Sequence, residues 1–243
     1  MNSLMIDAGN SYFKIAVFND NQQLINKFSI DNQSIYSKLQ AQLPHSQYQQ
    51  IWIACVNQQL DLSNLKEVLQ AYSNDIYLFK NEDYQPIQSD YQSLAQLGVD
   101  RWLGVLYPHC LKEDNYVVIS CGTAITLDIV INNKHLGGNI IPGITTALES
   151  LQQKANLNAS FKSPIKLNQP GTTTSHCIIQ GVLSYTIAYL NKMISTIQKQ
   201  HRSKLSIWIC GGNAELIASY LNYDYNLEPD LVLKSLNQLA NIS

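Results

Sequence analysis

The sequence predicts an α/β protein of two similar halves, each a mixed sheet with packed helices, facing one another across a cleft. Three observations predict it. An apolar run at residues 4–8 ends in the polar turn Gly9-Asn10-Ser11, and the chain leaves as a second apolar run at 12–18. A related pattern returns at residues 117–130, around Gly122-Thr123. Behind each pair, helical and apolar-strand patterns alternate, as expected when helices cover a mixed sheet. The expected division falls near residues 113–115, giving halves at 1–114 and 115–243.

The elements follow in order. Residues 4–8 and 12–18 read as buried strands. A third strand at 23–30 follows the turn Asn19-Asp20-Asn21. Helical spacing covers 33–43 and stops at Pro44, a residue that cannot continue a helix. Residues 51–55 and 76–79 read as strands around a helix at 62–72, and another helix begins near Gly98. The second half repeats the scheme, with strands at 116–120 and 125–131 and helices at 144–155 and 174–198. A strand at 205–210 and helices at 213–221 and 229–240 complete it, and residues 164–171 read as irregular.

Composition excludes several classes. Apolar residues make up 45% of the 243, enough for sizeable cores, and 16 Lys and Arg against 18 Asp and Glu leave a net charge of −2. That balance argues against broad attraction to nucleic acid or acidic membranes. The five cysteines are scattered without a CxxC pair, so neither a disulfide framework nor a zinc site is expected. No apolar run approaches the ~18 residues of a membrane span. A signal peptide is not expected, and a cytoplasmic location is.

The turns carry the chemistry. Backbone amides in a glycine turn, with a lysine, can hold nucleotide phosphates while a carboxylate organises Mg²⁺. Asp7, Gly9, Asn10, Ser11 and Lys14 supply these parts, and Gly122, Thr123 and Thr126 offer a second clasp. Neither a Walker loop nor a GxGxxG turn is present. Tyr91 and the run Leu97-Gly98-Val99-Asp100-Arg101 pair a carboxylate with an arginine, as a base next to an anion-binding group would be. Gly137-Gly138 with Pro142-Gly143, Gly171 with Thr174, and Gly211-Gly212 complete the set. Each has a plainer reading. These are an Asx turn after a strand, an acid at a helix start, a tight loop before a helix, Thr174 as an N-cap, and close strand–helix packing at the second diglycine. The histidines, His135 among them, read as loop or helix-surface residues, and Trp52, Trp102 and Trp208 as core.

Taken together over essentially the whole chain, these motifs resemble those of the type III pantothenate kinases. Asp7 through Lys14 is similar to D-x-G-N-[ST]-x-x-K, Tyr91 through Arg101 to Y-(x)₆-G-x-D-R, and Gly122 through Thr126 to G-T-A-x-T. Gly137 through Gly143 resembles G-G-x-I-x-P-G. Thr174 stands at the end of G-x-x-T, Gly211-Gly212 resembles the diglycine before a helix, and residues 229–233 resemble the P-D-L-x-L ending. The resemblance implies duplicated ribonuclease-H-like domains of the actin-like ATPase type, and transfer of the ATP γ-phosphoryl to the pantothenate primary hydroxyl, the first step toward coenzyme A. It implies Asp100 as general base, and Tyr91, Gly98, Val99, Arg101 and Thr174 around pantothenate, Thr174 coming from the neighbouring subunit of a homodimer. It implies ATP and Mg²⁺ at Asp7, Gly9, Asn10, Ser11, Tyr12, Phe13, Lys14, Gly122 and Thr123.

One departure concerns the cation. The family's second phosphate motif opens with an aspartate that helps bind K⁺ or NH₄⁺, and here Ser120 stands there, followed by Cys121. A hydroxyl can still ligate a monovalent cation, with one negative charge fewer. Two other readings stay open on residues alone: a catalytically silent relative with an accessory role, and a small-molecule kinase with another substrate.

Overall fold

The computed structural model describes residues 2–32, 35–43, 47–155, 167 and 169–242. The chain forms two compact units, Met1–Lys112 with Asp230–Ser243, and Glu113–Pro229.

The first unit opens with β1 (Ser3–Ala8), β2 (Tyr12–Phe18) and β3 (Leu24–Asp31), followed by α1 (Ile35–Gln42), β4 (Ile51–Cys55), α2 (Leu62–Leu69) and β5 (Ile76–Leu78). Its strands are ordered β3-β2-β1-β4-β5. The first three are antiparallel, and β4 and β5 join parallel to β1. Strand alternation puts Leu4, Ile6 and Ala8 into one core cluster with Leu39, Leu65 and Leu69 of the first two helices. Asp61 caps α2, accepting from the Ser63 and Asn64 amides at 3.0 and 3.1 Å. A two-residue strand β6 (Gln88–Ser89) precedes α3 (Val99–Cys110).

The second unit repeats the topology. Strands β7 (Tyr116–Cys121), β8 (Ala124–Ile131) and β9 (Lys134–Pro142) precede α4 (Ile144–Ala155), α5 (Thr174–His201), β10 (Ser206–Cys210), α6 (Ala214–Ala218) and β11 (Asn226–Leu227). The order β9-β8-β7-β10-β11 mirrors that of the first unit, antiparallel among the first three and parallel thereafter. Its core gathers Val117, Ile119, Ile207 and Ile209 with Leu183 and Leu190 of α5. The duplication expected from the two turns is therefore a duplication of whole sheet topology.

The last helix, α7 (Leu231–Ala240), packs on α3 and on β1, β2 and β4, and so belongs to the first unit. The expected division instead grouped it with residues 115–243. What distinguishes the helix is its buried side, Leu231, Leu233, Leu236 and Leu239, which covers the face of the first sheet opposite α1 and α2. Lys27 of β3 pairs with Asp230 at 2.7 Å, just ahead of that helix.

One further expectation changes. Residues 134–142 are a strand, not a loop: β9 pairs with β8 along its length, with a bulge where Ile129 faces Gly137 and Val130 faces His135. Gly137 has φ +99°, which only glycine adopts without strain, and it accommodates that extra residue. Half of the segment expected to be irregular at 164–171 lies outside the described residues, and residues 167 and 169–171 belong to no helix or strand. Among the described residues no helix is long and apolar enough to cross a membrane.

Candidate functional site

Asp7 and Lys14 face each other directly across the β1–β2 pair, with Nζ and Oδ2 3.7 Å apart. Alternation sends Leu4, Ile6 and Ala8 into the core below and leaves Asp7 on the opposite face. Burial raises its carboxyl from 3.8 to about 6. Lys14 opposes the shift, and the charge of Asp100 adds to it. The intervening turn is closed by the Gly9 amide donating to the Tyr12 carbonyl at 3.1 Å. A Cβ on Gly9 would stand 3.0 Å from that same oxygen. Asn10, Ser11 and Tyr12 are exposed, whereas the Phe13 side chain is fully buried in the core.

The second group sits at the start of α3. Gly98 precedes the helix, Val99 and Asp100 open it, and Asp100 accepts from the Arg101 amide at 2.8 Å. A Cβ on Gly98 would lie 2.6 Å from Asp100 Oδ1, so the glycine leaves room for the carboxylate to fold back over the helix entrance. Arg101 is buried, an uncommon state for a guanidinium that demands partners. One is Tyr91: Arg101 Nη1 donates to its hydroxyl at 3.2 Å, and the guanidinium lies 5.7 Å from the ring centroid. Within this unit the structure thus gathers an acidic pair, Asp7 and Asp100, with Lys14, Arg101 and Tyr91.

In the second unit the glycine motifs converge on one turn. The Gly122 amide donates to the Ala124 carbonyl at 3.0 Å, and the Gly143 amide and Thr146 hydroxyl both donate to the Thr123 carbonyl, at 3.0 and 2.6 Å. A Cβ on Gly143 would fall 2.2 Å from the Gly122 oxygen. Gly211, at φ +96°, lies against the Cys121 backbone, and the Asn213 amide donates to the Cys121 carbonyl at 3.0 Å. Close packing is therefore the role of Gly211, whereas a Cβ on Gly212 would meet nothing within 4 Å. Ser120, half-buried, pairs with Thr126 across β7 and β8. Burial pushes the neighbouring Cys121 thiol far above its usual range.

Thr174 is the first residue of α5 and is exposed. The N-cap is its neighbour Thr173, whose hydroxyl accepts from the His176 amide at 3.3 Å, so the capping expected of Thr174 is one residue off. His135 is corrected more strongly. It is fully buried, 3.1 Å from Asp128 Oδ1 on the adjacent strand β8, where a buried carboxylate requires a partner. Among the described residues no cluster of three or more His, Cys, Asp or Glu side chains could hold a metal. A single buried carboxylate next to a glycine turn nevertheless fits Mg²⁺, which takes one or two protein ligands and completes its shell with substrate phosphates and water.

Three residues outside the motifs hold the site segments, and no sequence pattern marks them. Asn32 donates to the Gly9 and Asn10 carbonyls at 3.1 and 2.6 Å. Thr146 holds the Thr123 carbonyl, as above. Asn81 donates to the carbonyls of Leu94 and Leu97, immediately before Gly98.

A family model described as type III pantothenate kinase matches residues 3–196. A type III pantothenate kinase from Acinetobacter baumannii (strain ACICU) is 32% identical over 244 residues, covering 98% of this chain and 97% of its own. Among solved structures, a conserved Baf family protein from Campylobacter jejuni has a TM-score of 0.66 at 22% identity, covering 98% of both chains. A ROK family protein from Streptococcus pneumoniae has a TM-score of 0.53 at 14% identity and covers 100% of both. These two likenesses speak to the fold alone.

Proposed function

The chain belongs to the type III pantothenate kinase family and is an ATP-dependent pantothenate kinase of coenzyme A biosynthesis, and we propose that Asp100 is its general base. The observation that supports this reading most is the α3 entrance. There Gly98 makes room for the Asp100 carboxylate, and the buried Arg101 is braced by Tyr91.

In this reading the pantothenate primary hydroxyl attacks the γ-phosphorus while its proton passes to the Asp100 carboxylate. The bond to the bridging oxygen breaks, and ADP leaves with that electron pair. Tyr91, Gly98, Val99 and Arg101 surround pantothenate, and the guanidinium offsets its carboxylate. Gly9, Asn10, Ser11, Tyr12 and Lys14 hold phosphates at the first turn. Phe13 contributes only its backbone there, its side chain being buried. Gly122 and Thr123 hold phosphates at the second. Asp7 holds Mg²⁺, which supplies charge neutralisation to the phosphates when bound. Phosphoryl transfer asks little more of a protein than positioning and neutralised charge.

The finer expectations belong to the same reading. The enzyme works as a cytoplasmic homodimer, with Thr174 of the partner subunit completing the pantothenate site. Ser120 contributes a neutral oxygen to any monovalent-cation site. The rate should therefore depend less strongly on K⁺ or NH₄⁺ than with an aspartate at that position, because the site has one negative charge fewer.

The test is turnover of pantothenate with Mg-ATP, followed as ADP release and 4′-phosphopantothenate formation. Asp100→Asn should lower kcat about 10²–10⁴-fold with ATP affinity retained. An unchanged kcat would remove Asp100 from the role. No turnover by the parent, with or without K⁺, would favour the accessory reading.

A further inference from the structure

We propose that Asn81 is a positioning residue for the Asp100–Arg101 pair, acting through the backbone of the segment that enters α3. Asn81 is buried, 4% exposed, in a 3₁₀ turn at Asn81–Asp83. Its side-chain amide donates to two carbonyls at once, Leu94 at 2.8 Å and Leu97 at 2.7 Å. Leu97 is the residue before Gly98. Serving both oxygens from one atom takes two N–H donors, which among uncharged side chains only a primary amide provides. Its Oδ1 has no partner among the described residues, so the side chain is used purely as a donor.

The same turn holds the other side of the segment. Trp102, fully buried, donates its indole N–H to the Tyr84 carbonyl at 3.0 Å. Asp100 and Arg101 therefore lie between two anchors, Leu97 and Trp102, both tied to residues 81–84. That turn is closed on itself: the Lys80 amide donates to the Asp83 carboxylate at 2.8 Å, and the Asp83 amide to the Lys80 carbonyl at 3.0 Å. A brace pinned at both ends fixes the position and direction of the α3 entrance. A displacement of about 1 Å at reacting groups lowers rates on the order of 10²-fold.

The alternative is an ordinary buried polar residue that merely stabilises the fold. The two differ in what a substitution moves. The inference rests on the reading of Asp100 as base, so the experiment keeps the two apart. Asn81→Ser, with one donor of shorter reach, and Asn81→Asp, an isostere lacking both donors when ionised, are compared with Asp100→Asn and the parent. The readouts are kcat and KM for pantothenate, Kd for Mg-ATP, a pH profile, and amide exchange across residues 97–102.

The expected result is a kcat about 10–100-fold lower in Asn81→Ser and Asn81→Asp with Mg-ATP affinity within about twofold, because the Asp7 turn is held elsewhere. The kcat of Asn81→Asp relative to the parent should rise as pH falls, since burial favours the neutral form of a carboxyl and its protonation restores an O–H donor. Exchange at residues 97–102 should quicken in Asn81→Ser, a result that needs no turnover. Unchanged kcat and unchanged exchange in folded variants would overturn the proposal while leaving Asp100 in place. So would losses of kcat and Mg-ATP affinity in equal proportion. An inactive parent or a fully active Asp100→Asn would instead overturn the general-base reading, and the exchange rates would still decide the role of Asn81.

Discussion

Replacing Asp7 by asparagine should stabilise the protein while disabling it. The Asp7 side chain is 10% exposed, Lys14 stands 3.7 Å away, and burial raises the carboxyl from 3.8 to about 6. A carboxyl shifted that far resists ionisation in the folded state. Each tenfold change in proton affinity is worth about 1.4 kcal/mol, so ionised Asp7 lowers folding stability by about 3 kcal/mol. The sign follows from proton uptake. Below 3.8 both folded and unfolded chains hold the proton, and no penalty exists. Between 3.8 and about 6 the folded chain alone holds it, and stability falls as pH rises. Above about 6 the penalty is complete. A neutral amide in place of the acid carries no such penalty, and Lys14, whose side chain is 39% exposed, stays hydrated without its partner. Denaturant titration without nucleotide or Mg²⁺ should therefore find Asp7→Asn more stable by about 3 kcal/mol at pH 7.5, with the gain gone near pH 4. Mg-ATP affinity should fall in the same variant. A variant no more stable than the parent at pH 7.5, or a gain unchanged at pH 4, would refute the reasoning.

Two other substitutions test the glycines. Gly98→Ala places a methyl group 2.6 Å from Asp100 Oδ1 and turns the carboxylate aside, so kcat should fall by about tenfold or more. The melting temperature should hardly move, because the displaced group is the end of a side chain; a normal kcat would show that the carboxylate needs no such room. Gly143→Ala places a methyl group 2.2 Å from the Gly122 oxygen, where backbone has to give way. Stability should fall by about 1–3 kcal/mol and KM for ATP should rise, measured by denaturation and by initial rates.

The candidate site is legible in the sequence where its parts are contiguous. A turn between two strands brings its own donors, so residues 7–14 and 122–126 announce themselves, as does an acid placed beside an arginine at a helix start. Paired turns followed by alternating elements also pointed to the doubled fold. What escaped acts over long sequence separations. Asn32, Asn81 and Thr146 reach backbone carbonyls 13 to 23 residues away, and nothing in their neighbours marks them. The strand at Lys134–Pro142 was hidden by its own glycines, which the bulge at Gly137 uses and which otherwise spell a loop. The same glycines hide the burial of His135 in that strand. The location of α7 was equally out of reach, because amphipathic spacing tells that a helix has an apolar side and not which sheet receives it.

That last helix has a consequence for how the protein is made. The second unit occupies one uninterrupted stretch, Glu113–Pro229, whereas the first is assembled from both ends of the chain. A ribosome delivers the strands of the first sheet early and the helix that covers one of its faces last. The second unit, though later in sequence, has all its parts sooner, and nascent chains fold domain by domain as their parts emerge. The order of maturation should therefore invert the order of synthesis. Met5, Ala16 and Trp52, covered in the finished protein, belong to a face that waits for residues 231–240. Stalled nascent chains ending before Leu231 should leave that half protease-sensitive beside an already resistant second unit.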